Sequence, residues 1–319
     1  MLKCTIDREK MEGLNNLIKG KNNLSPLNRF VSKDLTKEGI SSLDEIGIID
    51  SDGNLLETMK STMEILSKPH AVVKVVFTGG VGAYEHNINY DNSFQNHVSF
   101  TVTPNNVSID DESDPLGIIK IMEDFVGKSN LKSVNISRKF NVAEAFVVAS
   151  MLDMERKSIL RAFVDEVPFT HNSYNTSMIW RIINSTSSSI QWFVCIMNEI
   201  IGEYGTLSQK QVQDAINQLI AEGAITQNGG QYQLSSELSL LSSRMIIVDN
   251  ILSVQTSKQD EIGEILSAGF TCVQSGVHDL LFLDYDGKEI VFETITSVRL
   301  MDYLDQFLNC KSYFAKMHS

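Results

Sequence analysis

Two stretches of this chain carry the same order of apolar and polar positions. Ile40 and Leu43 have helical i, i+3 spacing, Gly47 interrupts them, Ile49 follows, and Gly53 marks a turn. The same residue types recur 176 positions later at Ile216, Leu219, Gly223, Ile225 and Gly229. This pattern predicts, twice, an amphipathic helix stopped at a glycine, then a short strand and a hairpin turn. A Leu- and Ser-containing segment comes next in each case, at Leu55–Ser67 and Leu234–Ser243, followed by the runs Ala71–Phe77 and Met245–Val254.

A second block repeats at a spacing of 182. Val98–Val102 corresponds to Leu280–Asp284, Val107–Ile109 to Glu289–Val291, and the helical text Leu116–Val126 to Val298–Leu308. The apolar residues of Val98–Val102 and the consecutive apolar run Leu280–Leu283 predict strands inside a sheet. Each copy thus reads as helix, glycine turn, helix, strand, connection, hairpin and closing helix, over 27–131 and 191–311. Agreement in order across both blocks is the argument for duplication. The expected fold class is α+β: two similar halves in a pseudo-twofold arrangement, with a central, mainly antiparallel sheet flanked by helices. The expected domains are a first half at 1–131, a helical connecting region at 132–190 and a second half at 191–319. The connection contains the helical text Phe140–Asp165, broken by the charged run Asp153–Lys157, and loops at Pro168–Ser177 and Ser185–Ser189.

Composition narrows the function. Of 319 residues, 42% are hydrophobic and the formal net charge is −13. A nucleic-acid binder needs a basic footprint, so this balance argues against one. No apolar run reaches membrane-spanning length, and Met1–Lys10 has no apolar core of a signal peptide. The four cysteines Cys4, Cys195, Cys272 and Cys310 are scattered, as in a reducing compartment. The expectation is a cytoplasmic protein without a membrane partner.

Candidate chemistry is sparse. Gly79-Gly80-Val81-Gly82 follows an apolar strand, but the Asn-, Tyr- and His-rich text after it does not open a helix for a dinucleotide phosphate. Gly127-Lys128-Ser129 lacks the first glycine of a P-loop and follows a helix, which predicts a helix-ending glycine. Asp50-Ser51-Asp52-Gly53 and Asp284-Tyr285-Asp286-Gly287 bring glycine two positions too early for a calcium loop. Asp286-Gly287 instead predicts a two-residue hairpin turn. No histidine pair has metal-ligand spacing, and no GxSxG elbow occurs. A triad assembled in space stays open, although nothing nominates one. The expectation is therefore no catalysis, no metal and no cofactor.

Leu207–Leu234 has a winged-helix pattern: a helix behind Ser208, a stop at Gly223, and a hairpin about Gly229. Between Cys195 and Leu240 the charges are Lys210 against Glu199, Glu203, Asp214, Glu222 and Glu237, which repels DNA and favours packing or protein binding. Thr256–Cys310 is also acidic, a surface suited to solubility or to a basic partner. The long text Gly79–His97 reads as a connection carrying Val81, Tyr84, Tyr90 and Phe94. A loop of that length is uncommon unless it functions, and these four are the candidate protein-binding residues.

The duplicated order resembles that of the EspG-type substrate chaperones of type VII secretion. The resemblance runs most clearly from Gly47-Ile48-Ile49-Asp50-Ser51-Asp52-Gly53-Asn54-Leu55 through Leu66-Ser67-Lys68-Pro69 into Val72–Val76. It implies a cytosolic chaperone or adaptor that holds a secreted helical protein or toxin soluble and export-competent. The alternative is a winged-helix regulator or scaffold protein. The sequence leaves self-association into a homodimer open.

Overall fold

The computed structural model describes residues 3–80, 82–185, 189–202, 206–260 and 262–317. The first run of elements is β1 (Lys3–Asp7), α1 (Arg8–Leu17), a 3-10 turn at Pro26–Arg29, α2 (Lys37–Glu45) and α3 (Glu57–Ser67). The strands β2 (Ala71–Gly79), β3 (Gly82–Tyr90), β4 (His97–Val102) and β5 (Asn106–Asp110) follow, then α4 (Gly117–Val126). The second run is β6 (Ser137–Asn141), α5 (Val142–Val164), α6 (Thr176–Ile183), α7 (Phe193–Ile201) and α8 (Gln209–Ala221). It continues with β7 (Ile225–Asn228), β8 (Gln231–Leu234), α9 (Ser236–Arg244), β9 (Asn250–Gln259) and β10 (Ile265–Ser275). It closes with β11 (Asp279–Tyr285), β12 (Glu289–Ile295), α10 (Ser297–Leu308) and α11 (Cys310–Met317).

The class is α+β, with antiparallel strands, and the duplicated element order is present. Strand order is β1-β5-β4-β3-β2 in the first run and β6-β12-β11-β10-β9 in the second. The glycine stops match closely. Ile48 N–H bonds Leu43 C=O and Gly47 N–H bonds Asp44 C=O, while Ala224 bonds Leu219 and Gly223 bonds Ile220 in the same way. These are two Schellman ends, with Gly47 at φ 72° and Gly223 at φ 71°. The wing after α8 is the β7–β8 ladder; its counterpart shrinks to one bridge, Ile49 to Leu55.

Two points differ from expectation. First, the repeat starts earlier. Strand β6, inside the expected connecting region, pairs with β12 as β1 pairs with β5, and Asp7 and Asn141, at the ends of these two strands, cap the helices that follow. Second, the hairpins are spaced by 183. Phe100 lies opposite Ile109 as Leu283 lies opposite Phe292, and all four are buried. Matching Phe100 to Phe282 by identity slips the register by one and puts the side chain on the opposite face.

The chain forms two compact units, each drawing on both runs. One gathers the chain up to Phe125 with Leu252–Gly269 and the stretch from Met301 onward; the other gathers Val126–Ile251 and Phe270–Leu300.

In the first unit, Met11 and Leu14 of α1, Leu43 of α2 and Met59, Met63 and Leu66 of α3 form one core with Val98, Phe100, Val107 and Ile109. Phe30 meets Phe100 edge-on with centroids 6.1 Å apart. Asn15, buried among them, donates to Phe30 C=O at 2.7 Å, which satisfies its amide.

In the second unit α5 is buried on nearly every side along Val142–Arg156, with β6 and the four helices α6 to α9 around it. Its start is a capping box between Asn141 and Glu144. The charged run proves to be mostly interior: Asp153, Glu155 and Arg156 are all buried. Asp153 accepts from the N–H groups of Phe193 and Val194 at 2.8 and 3.1 Å, capping α7. Arg156 pairs with Asp153 at 3.0 Å, donates to the carbonyls of Gln191, Met245 and Ile246, and lies 4.9 Å from the Phe193 ring centroid. Burial pushes the Asp153 carboxyl up to about 6, against the opposing pull of those N–H groups and Arg156. Among the described residues, no helix is long and apolar enough to cross a membrane.

Candidate protein-binding surface

The segment expected as a long connection is mostly strand. Gly79 pairs with Gly82, and β3 runs beside β2 from Gly82 to Tyr90. Its Asn- and Tyr-rich text misleads because β3 has β2 on one side and β4 on the other, and polar side chains are met by neighbouring groups. Asn87 donates to Glu85 at 2.9 Å and Asn89 donates to Val98 C=O at 3.0 Å. Glu85 is held by Arg29 and lies 3.5 Å from Lys74. Burial opposes ionisation of Glu85, but the bonds from Arg29 and Asn87 outweigh it and keep its carboxyl below the usual range.

Of the four candidate residues, Val81 lies outside the described residues. Tyr84 is half-buried near the hairpin end, opposite Phe77 and stacked on His86 at 6.2 Å. Burial raises its phenol. Tyr90 is a core residue, 8% exposed, with its hydroxyl 3.4 Å from Leu308 C=O. Phe94 sits at φ 57° in the turn from Asp91 to Asn96, edge-on to His70 at 5.4 Å. That turn is tied by the Asp91 carboxylate, which accepts from Ser93 N–H at 3.1 Å and the Asn96 side chain at 2.7 Å. The structure therefore brings Tyr90 and Phe94 together, 5.9 Å apart, and leaves Tyr84 about 20 Å away at 3.4 Å per residue along the strand.

Next to the Asp91 turn lies a cleft of about 700 Å³, walled by α3 and the β4 and β5 ends. Glu64, Asp91, Asp111 and Glu112 line it against Lys68 and His97. Thr62 on its wall donates to Asp111 at 3.1 Å. His97 Nε2 lies 2.6 Å from Ser113 C=O. This acidic recess was missed because its walls come from three separated segments, none charged enough to stand out.

The aspartate-glycine texts are turns. Asp50 accepts from Asp52 and Asn54 N–H at 3.0 and 2.8 Å. Asp286 accepts from Lys288 and Glu289 N–H at 2.9 and 2.8 Å, in a loop longer than the two residues expected, with Gly287 at φ 94°. Gly127, at φ 76°, ends α4 as expected.

One serine, histidine and glutamate set does meet in space. Ser239 donates to Glu155 Oε1, His171 Nδ1 lies 3.2 Å from that same oxygen, and Ser239 Oγ is 3.1 Å from Nδ1. A hydrolytic relay needs the imidazole to bridge with its two nitrogens. Here one nitrogen serves both neighbours, so the set is a hydrogen-bond cluster.

No family model and no curated protein matches the sequence. Among solved structures, the chain is similar to the Mycobacterium tuberculosis type VII secretion system chaperone EspG5, in its complex with a PE25–PPE41 dimer. The TM-score is 0.51 at 10% sequence identity, over 97% of this chain and 96% of that one. The two chains share a fold. That correspondence runs nearly end to end, so the expected resemblance holds at the level of architecture.

Proposed function

We propose that this protein is a chaperone or adaptor for a secreted protein, holding a helical substrate soluble in the cytosol until an export machinery takes it. The observation that supports this reading is the likeness over 97% of the chain to a chaperone solved with its bound dimer. Covering an apolar helical tip would gain about 25 cal/mol per Å² of apolar surface, offset by the ordering of both partners. The β2–β3 hairpin end, with Val81 and Tyr84, is the proposed contact region. Tyr90 is buried at the far end of the strand and takes no part in it, and Phe94 flanks the acidic cleft.

The test is capture of partners by the tagged full-length protein in its own host. A small helical secreted protein is expected to co-purify, and less of it with Tyr84→Ala. The reading fails if no secreted protein is retained, or if the retained material is nucleic acid whose binding falls steeply with salt.

A further inference from the structure

The hairpin β9–β10 ends in a strand edge that carries none of the usual guards. Strand β11 pairs with β10 only from Thr271 to Ser275. The first half of β10, Ile265–Gly269, has β9 on one side and, among the described residues, no strand on the other. Its side chains are Ile, Leu, Ser, Ala and Gly, with Ile265 42% and Leu266 37% exposed. Strand edges open to solvent are normally blunted by charge, proline or a cover, because their unpaired N–H and C=O groups template another strand. The terminal strands of this protein obey that rule: β1 carries Lys3 and Asp7, and β6 carries Arg138 and Lys139.

Hydrogen bonds join the described residues of the tip. Asp260 Oδ1 accepts from Ile262 N–H at 3.0 Å and Glu264 N–H at 2.8 Å, and Asp260 N–H bonds Glu264 C=O at 2.9 Å. Ile262 stands 80% exposed on this tip. Between Ser257 and Gly269 the sequence has Lys258 against Asp260, Glu261 and Glu264. Lys68 shares a recess with Gln259 and Asp260, and Gln259 accepts from the Asn22 side chain at 3.1 Å, which places those neighbours on the β9 side, away from the open edge.

We infer that Ile265–Gly269 is a docking edge for an extended segment of another protein, apolar with basic flanks, which adds as a strand beside β10 while its basic residues meet Asp260 and Glu264. Backbone pairing gives the affinity in such strand addition, and flanking side chains give the choice of partner. A second copy is the poorer occupant. It would set the same acidic tip against itself, and five paired residues bury far less than the ~1,200 Å² that a stable dimer needs. This inference is independent of the chaperone reading.

The test uses the full chain and a synthetic peptide, acetyl-Lys-Thr-Val-Thr-Val-Lys-amide, with a control in which both lysines are glutamate. The basic peptide is expected to slow amide exchange at 265–269 and to bind at least roughly fivefold more tightly than the control. Ser267→Lys, which adds a guard at an exposed position, is expected to abolish both effects in a protein of unchanged circular dichroism; Ile265→Lys replaces it if that variant misfolds. Three results overturn the inference: no protection at millimolar peptide, equal binding of the two peptides, or a dimer in sedimentation that Ser267→Lys dissociates.

Discussion

Acid should weaken the first unit through His86. Its imidazole lies on β3, with Nδ1 2.8 Å from Thr101 Oγ1 and the ring stacked on Tyr84. Burial lowers its pKa to about 4, with Asp110 pulling weakly the other way. An unfolded chain carries a histidine near 6.5. The folded value is depressed, so the unfolded state binds more protons below pH 6.5, and stability present at neutral pH is lost as pH falls toward 4. Two and a half units correspond to a ceiling of about 3.4 kcal/mol, of which about 2 kcal/mol is gone by pH 5. The perturbation is His86→Gln, which keeps a partner for Thr101 and removes the titration. Both tryptophans, Trp180 and Trp192, lie in the second unit, so fluorescence reports that unit alone. Amide exchange of β3 and β4, measured at pH 7.5 and pH 5, reports the first. The wild type is expected to lose about 2 kcal/mol more protection than His86→Gln between those values. Equal losses would refute the reasoning, and so would a change that appears only in tryptophan fluorescence.

Three further outcomes follow from the packing. Asp153→Asn leaves Arg156 buried without its counter-charge and keeps only one of the two oxygens that accept from the α7 start, and is expected to destabilise the second unit by about 3–5 kcal/mol in urea unfolding followed by tryptophan fluorescence; a loss below about 1 kcal/mol would show the network to be dispensable. Gly269→Ala places a Cβ 2.5 Å from Val254 C=O and is expected to lower stability by about 1–3 kcal/mol, while Gly80→Ala, whose Cβ meets nothing within 4 Å, is expected to melt like the wild type. Asn141→Ala removes the α5 capping box and should cost about 1 kcal/mol, with Asn141→Ser recovering most of it in thermal melts.

Local chemistry made much of this fold legible. The helix ends at Gly47 and Gly223 were readable 176 residues apart because a Schellman end needs a left-handed residue wherever it occurs, and apolar spacing marks the helix before it. Leu280–Leu283 was readable as an inner strand because burial on both faces removes alternation, and Val98–Val102 was readable as a strand from apolar residues at every second position. Strand β3 was not, since its asparagines and tyrosines carry a loop's composition and only the bonds to Val98, Phe100 and Glu85 make them acceptable in a sheet. The exact register was hidden too: identity favoured Phe282, while the strand pairing aligns Leu283 with Phe100.

For the functional surface, sequence supplied the types of residue and tertiary structure decided their use. It marked Tyr84, Tyr90 and Phe94 as unusual, but whether an aromatic faces solvent or core depends on strands and helices far away in the chain, as with Tyr90 beneath Leu308. Asp153, Glu155 and Arg156 read only as a charged break in apolar helical text; the buried N–H groups, carbonyls and ring that replace water around them arrive from α7 and the α9 end. Which strand edge stands open at Ile265–Gly269 likewise follows from the unequal lengths of β10 and β11 once paired, a property of the pairing that neither strand shows alone.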